Sequence, residues 1–210
     1  MKNILIATIA SFVLLSCSAS SEPEQPIVTP PANLESLQTA YFASGCFWCV
    51  EAIFESVNGV EEAVSGYAGG TSKNPTYMEV SAGRTNHAET VKVYYDSSVV
   101  KFETLVDVFF NSHDPTTLNQ QGPDRGPQYR SIAFYQTPEE RRIIETKIEE
   151  LLIDGVFSKI TTQVVAHDTF WEAEGYHQDY ERNNPGNGYV QNVSIPRLNK
   201  FKRKMPEVLK

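Results

Sequence analysis

The chain has 210 residues, 40% of them hydrophobic, which is enough material for one compact domain with a real core. Its formal net charge of -8 argues against nucleic acid as the main partner, because neutralising phosphates requires clustered Lys and Arg.

The N-terminus differs in kind from the rest. Lys2 precedes an apolar run from Ile4 to Leu15, followed by Ser16-Cys17-Ser18. The run is too short to span a bilayer comfortably and has the layout of an export signal. Leu14-Leu15-Ser16-Cys17 resembles a bacterial lipobox, in which the cysteine is lipidated and becomes the mature N-terminus. An ordinary signal peptide with an incidental cysteine, or an uncleaved anchor, is the plainer alternative. The expected organisation is a lipoprotein signal peptide over 1–16, a flexible Ser/Pro/Glu-rich tether over 17–36, and one folded catalytic domain over 37–210. The expected location is the envelope of a bacterium, on a membrane through lipidated Cys17.

Leu37 to Ala43 reads as a strand ending at Ser44-Gly45. From Cys46 to Val57 the apolar residues fall at helical spacing, with Ser44 placed as N-cap. A cysteine in the first turn of a helix faces unpaired N–H groups and the positive end of the dipole, so the Cys46 thiol is expected to have a lowered pKa. Cys49 follows on the same helical face, within reach for a disulfide. Asn58-Gly59 marks a turn, Val60 to Ala68 a strand, and Thr71 to Arg84 a loop with a short helical turn.

His87 to Asp96 alternates like a strand, and Glu89 falls on the face of Val91 and Val93 while Lys92 lies opposite. A carboxyl on an apolar face has a raised pKa and can donate a proton near neutral pH; a solvated edge glutamate is the bland alternative. Lys101 to Ser112 is an amphipathic helix, and His113 to Gln128 a long irregular segment of the kind that often carries function. Tyr129 to Gln136 predicts a strand, Thr137 to Asp154 a helix with Pro138 at its first position, and Thr161 to Ala166 a strand. Glu172 to Asn183 reads as helical, and a basic tail begins at Arg197. Strands and helices mix without βαβ regularity, which points to an α+β fold.

Cys46-Phe47-Trp48-Cys49 admits three readings. A zinc site lacks two further ligands, since the only other cysteine is Cys17 and the histidines show no paired spacing. A general disulfide oxidoreductase uses this spacing at a helix start, but Phe-Trp is more apolar than that exchange requires. A structural disulfide closing so short a loop would restrain little.

Gly45-Cys46-Phe47-Trp48, Gly66-Tyr67-Ala68-Gly69-Gly70, Asn74-Pro75-Thr76-Tyr77, His87-Ala88-Glu89, His113-Asp114-Pro115, Gln128-Tyr129-Arg130-Ser131 and Ala173-Glu174-Gly175-Tyr176-His177-Gln178 resemble, in order and spacing, the motifs of A-type peptide methionine sulfoxide reductases. The resemblance spans about residues 38–195. It implies a compact α+β domain, a mixed β-sheet roll flanked by helices, acting on the S epimer of methionine sulfoxide, free or in proteins. Phe47 and Trp48 then match the apolar wall for the substrate methyl group. Cys46 matches the nucleophile, Glu89 the acid that protonates the oxygen, Tyr77 and Tyr129 its hydroxyl donors, and Asp124 a supporting carboxylate. No cofactor or metal is implied.

The chain departs from the commonest pattern at Cys49, where many members have glycine, and it lacks their C-terminal cysteines. Cys49 is therefore expected to resolve the Cys46 sulfenic acid as a disulfide, reduced by a thioredoxin-like protein. The loop Pro123-Asp124-Arg125-Gly126-Pro127 also departs, around Asp124. His113, His177, Trp171 and Arg130 lie in or beside the matched motifs, but a hydrogen-bonded structural role accounts for them as well as a functional one, and none is assigned catalysis. A monomer is the default, and a thiol–disulfide exchanging or redox-sensing lipoprotein is the alternative function.

Overall fold

The computed structural model describes residues 34–210. The apolar run, Cys17 and the tether up to residue 33 lie outside the described residues. Leu34–Ser36, which the sequence reading leaves in the tether, form a 3-10 turn with Leu34 buried, so the folded part begins slightly earlier than residue 37.

The elements in chain order are β1 (Gln38–Ser44), α1 (Phe47–Glu55), β2 (Val60–Ala68), α2 (Tyr77–Ser81), β3 (Ala88–Tyr95) and α3 (Phe102–Ser112). A two-residue hairpin follows, β4 (Gln120–Gln121) and β5 (Asp124–Arg125), then β6 (Ser131–Tyr135), α4 (Pro138–Ile153), β7 (Gln163–Ala166), β8 (Phe170–Glu172), α5 (Tyr180–Asn183), a π-helical turn (Val190–Ser194) and α6 (Ile195–Lys204). The main sheet has 6 strands in the order β7-β6-β1-β3-β2-β8. Only β6 and β7 run parallel, so the sheet is mixed and the fold is α+β, as expected.

The main core lies between α1, α3 and one face of the sheet. Phe42 from β1 stacks on Phe54 of α1 at 5.0 Å and on Phe109 of α3 at 5.2 Å, and Val91 and Val93 of β3 join the same cluster. Burying these rings and branched chains supplies the main stabilisation, on the order of 1.5–3 kcal/mol for each full side chain. Glu89 is on β3 with the parity of Val91 and Val93, so it faces α1, while Ala88 joins the smaller cluster on the other face.

Several local expectations change. Cys46, not Ser44, is the N-cap of α1. The irregular segment after α3 is partly organised by the β4–β5 hairpin. Residues 172–183 are not one helix: Phe170–Glu172 add an edge strand to β2, followed by a 3-10 turn and the short α5. Two residues explain this. Gly66 admits β8, because the site of a Cβ there is filled by the Phe170 ring at 2.3 Å and the Trp171 carbonyl at 2.4 Å. Gln178 then accepts from the Ser65 N–H at 2.9 Å and donates to the Ser65 carbonyl at 3.0 Å, so a side chain continues the sheet edge. The basic tail is helical, and Arg197 is half-buried.

Candidate active site

β1 delivers the chain through Gly45, at φ +95°, to Cys46 at the head of α1. The Cys46 carbonyl accepts from the N–H groups of Cys49 (3.2 Å) and Val50 (3.3 Å), but its side chain caps nothing. The missing cap comes from across the core: the Phe47 N–H donates to Glu89 Oε2 at 3.0 Å. Glu89, opposite Tyr67 in the sheet register, is 2% exposed. Burial pushes its carboxyl up to about 8 against the opposing pull of the Phe47 N–H. The carboxyl is therefore mostly protonated at neutral pH, as the strand pattern predicted.

The thiol expectation is reversed in the reduced protein, in which both cysteines are free. Burial, a bond donated to Cys49 and the neighbouring Glu89 push the Cys46 thiol well above its ordinary value. Cys49 is lowered to about 6, first by the Cys46 S–H and then, against its own burial, by Arg197, Ser194 and Tyr189. The physical reason lies in groups that the fold brings in from distant parts of the chain. Glu89 occupies the helix-terminal N–H that should have favoured a Cys46 thiolate, and the basic C-terminal helix lies nearer Cys49.

Phe47 is buried and Trp48 half-buried. The Phe47 ring sits 5.9 Å from Tyr67 and 6.4 Å from Tyr77. Trp48 lies flat on Tyr180 at 3.6 Å, and its indole N–H donates to His177 Nδ1 at 3.1 Å. Thr76 and Glu79 form a capping box that fixes α2 and puts Tyr77 at its first position. Tyr129 ends a 3-10 turn before β6. Burial is the first cause raising both phenols, Tyr77 to about 12, with Glu89 next and Cys46 also contributing, so both stay protonated donors beside the thiol. Neither hydroxyl has a hydrogen-bond partner among the described residues. The Cys46 thiol, the neutral Glu89 carboxyl, the Tyr77 and Tyr129 phenols and the Phe47 and Trp48 rings thus converge on one place.

A family model for peptide methionine sulfoxide reductase matches residues 38–209. The chain belongs to the peptide methionine sulfoxide reductase family. It is 49% identical over 173 residues to peptide methionine sulfoxide reductase MsrA of Pasteurella multocida, covering 82% of this chain and 99% of that protein. It is 47% identical to MsrA 1 of Rhodopirellula baltica, over 82% of this chain and 90% of that one. Among solved structures, methionine sulfoxide reductase A of Corynebacterium diphtheriae superposes with a TM-score of 0.67 at 36% identity, covering 79% of this chain and 86% of that chain.

In this methionine sulfoxide reductase Asp124 stands one step back from the thiols. Its Oδ2 accepts from the Tyr189 hydroxyl at 2.6 Å, and that hydroxyl lies 3.9 Å from Cys49 Sγ. Tyr189, Ser194 and Arg197 were not singled out by the sequence reading, and no local pattern marks them, because the contact with Cys49 is made only when the C-terminal segment packs on α1. Glu174 was visible within its motif without a role. It accepts from the Tyr67 hydroxyl and from the Tyr77 N–H, both at 2.9 Å, and so fixes the start of α2. Burial lowers His177 to about 4, which keeps Nδ1 free to accept from Trp48, while its buried Nε2 has no hydrogen-bond partner among the described residues. His113 is likewise neutral, with its ring nitrogens on the Phe109 carbonyl and Ser131 Oγ. Arg130 bridges the Gly69 and Asn86 carbonyls at 3.2 and 2.9 Å. Glu51, buried in α1, accepts from Ser65 and from the Asp179 N–H, which anchors the segment leading to Tyr180.

Proposed function

We propose that the protein reduces methionine-S-sulfoxide to methionine, in proteins and as the free amino acid, and that Glu89 is the acid. The observation that carries this reading is a neutral, buried carboxyl pinned to the first N–H of the helix that presents Cys46. The sulfoxide methyl group lies against Phe47 and Trp48, and its oxygen receives hydrogen bonds from Tyr77 and Tyr129. Cys46 Sγ attacks the sulfoxide sulfur while Glu89 protonates the oxygen. The proton leaving Cys46 passes first toward Cys49, the sulfur to which its S–H donates, and ultimately restores the acid. Methionine departs and Cys46 becomes sulfenic acid. Cys49 Sγ then attacks that sulfur, releasing water and forming the Cys46–Cys49 disulfide. A thioredoxin-like protein returns two electrons to the pair. Asp124 acts at one remove, by orienting Tyr189 against Cys49.

Simple thiol–disulfide exchange would give Glu89 no oxygen to protonate, so the exchanger reading leaves this carboxyl without a task. The apolar run, the Leu14-Leu15-Ser16-Cys17 pattern and the polar stretch after it support a signal peptide over 1–16, lipidation of Cys17, a tether from Cys17 that ends before Leu34, and a catalytic domain from Leu34 to Lys210. On that reading a monomer is held at a bacterial envelope membrane, where it repairs oxidised proteins. The deciding assay offers separate S and R epimers of a methionine sulfoxide peptide with dithiothreitol. Methionine should form from the S epimer alone and not with Cys46→Ser; no product from either epimer would overturn the reading.

A further inference from the structure

Cys49 lines a cavity of about 870 Å³, between the end of α3, the loop carrying Asp124 and the C-terminal helix; Cys46, Phe47, Trp48, Tyr77 and Glu89 do not. Of the two cysteines only Cys49 lines this cavity, and it is 1% exposed against 7% for Cys46. The cavity also differs in charge from a chain of net charge -8. Arg197, Lys200 and Lys204 line it from one face of α6. No described carboxylate forms an ion pair with any of the three. Asp114 and Asp124 also line it, but each is engaged elsewhere: Asp114 accepts from the Thr116 N–H at 2.9 Å and from its hydroxyl at 2.7 Å, and Asp124 from Tyr189. Arg197 is held rigidly, with Nε on the Ser112 carbonyl and Nη2 on the Ser44 carbonyl, both at 2.9 Å. Burial and the like charge of Lys200 lower the Lys204 ammonium, while Asp114 and Asp124 offset part of the positive charge of Lys200 and Arg197.

We propose that this cavity is the port through which reducing thiols reach the oxidised enzyme, and that it admits small thiols carrying carboxylates. This rests on the reading of Cys46–Cys49 as the disulfide formed in turnover, and it adds a direct small-thiol route to the protein-mediated one. The size suits a ligand of that class, since small-molecule pockets run from about 300 to 1,000 Å³. Attack on a disulfide proceeds in line with the S–S bond, so a thiolate entering here meets Cys49 first. A bond forms between the incoming sulfur and Cys49 Sγ, and Cys46 Sγ leaves with the electron pair of the broken S–S bond. A second thiolate then attacks the incoming sulfur, releases the oxidised small disulfide and leaves Cys49 as thiolate. Two thiols are oxidised and one protein disulfide is reduced. Arg197 stabilises the Cys49 thiolate as it is released, and the lysines concentrate the anionic reductant.

The test uses the full chain converted to its disulfide and follows return of the dithiol with mercaptosuccinate, 2-mercaptoethanol or cysteamine at matched thiolate concentration. At low salt the dianionic thiol should react about tenfold or more faster than the cationic one. The advantage should shrink with added salt and vanish in Lys200→Glu/Lys204→Glu, both positions being exposed and safe for folding. Equal rates for the three thiols, or a preference that survives the double substitution, would overturn the proposal. Failure of the underlying reading is seen separately: stoichiometric methionine sulfoxide would then not produce the disulfide, while a chemical oxidant still would and the port could still be assayed.

Discussion

Glu89 Oε2 accepts the Phe47 N–H across 3.0 Å, so one carboxyl both caps the helix that presents Cys46 and holds the proton proposed for the departing oxygen. Cap and proposed acid are the same group because the first N–H of α1 and the Cys46 thiol belong to adjacent residues. Glu89→Gln keeps the cap and removes the acid. Its first-turnover rate of sulfoxide reduction should fall about 10²–10⁴-fold, while chemical reduction of its Cys46–Cys49 disulfide stays near wild-type speed. Rapid-quench measurement of methionine in one turnover separates the two, and an equal loss in both would reject Glu89 as acid.

The same burial predicts a pH signature. With the folded carboxyl raised to about 8, the acid-dependent step should be flat near pH 7 and fall about tenfold per unit above 8. The stability sign follows from linkage. The folded state holds the Glu89 proton more tightly than the unfolded chain, so this contribution is fully present below the ordinary carboxyl pKa and is lost as pH rises through about 8. Glu89→Gln should therefore gain stability over wild type on going from pH 5 to pH 8, as read from urea midpoints. A constant difference would mean the carboxyl is not buried and neutral.

Cys49→Ser should reduce one sulfoxide per enzyme and then stop with a thioredoxin-like reductant. The wild type should show thiolate absorbance titrating near pH 6, and this variant should lack it, because the low value belongs to Cys49. Persistence of that titration in Cys49→Ser, and its disappearance from Cys46→Ser, would place the charge on the other sulfur.

Tyr189→Phe removes the donor to Asp124 and the hydroxyl near Cys49. We expect about 1–3 kcal/mol of lost stability, since a partly buried carboxylate loses its hydrogen bond. The Cys49 titration should move upward, because the Tyr189 hydroxyl helps hold it down. A stability loss without that upward move would show Tyr189 to be a structural post alone.

Gly45→Ala tests the turn before Cys46. The backbone there has φ +95°, and a Cβ would meet Gln121 Cβ at 2.6 Å. The substitution should cost about 1–3 kcal/mol from backbone strain and also displace the loop that carries Asp124. Denaturant midpoints and the first-turnover rate should both fall; an unchanged rate would mean the 121–124 loop is irrelevant to the site.

Much of this protein was legible as sequence. The period-2 pattern of residues 87–96 placed Glu89 on the core face, and α3 and α4 followed from their apolar spacing and from Pro138 after Thr137. These are local determinants, set by a few neighbouring residues. The ordered motifs identified the family for the same reason. Two kinds of fact were not local. Residues 172–183 read as one helix, but Glu172 ends an edge strand on β2, a 3-10 turn follows, and only Tyr180–Asn183 are α-helical, because Gly66 and Ser65 on β2 offered the pairing. The Cys46 thiol, expected to ionise easily at a helix start, is raised instead: Glu89 reaches its helix from another strand, and Tyr189, Ser194 and Arg197 draw the charge to Cys49. The sequence alone fixed which groups are present and which strand or helix carries them. Their ionisation was settled by residues distant in the chain, because burial and Coulomb interactions depend on distance in space, which only the packed tertiary structure sets.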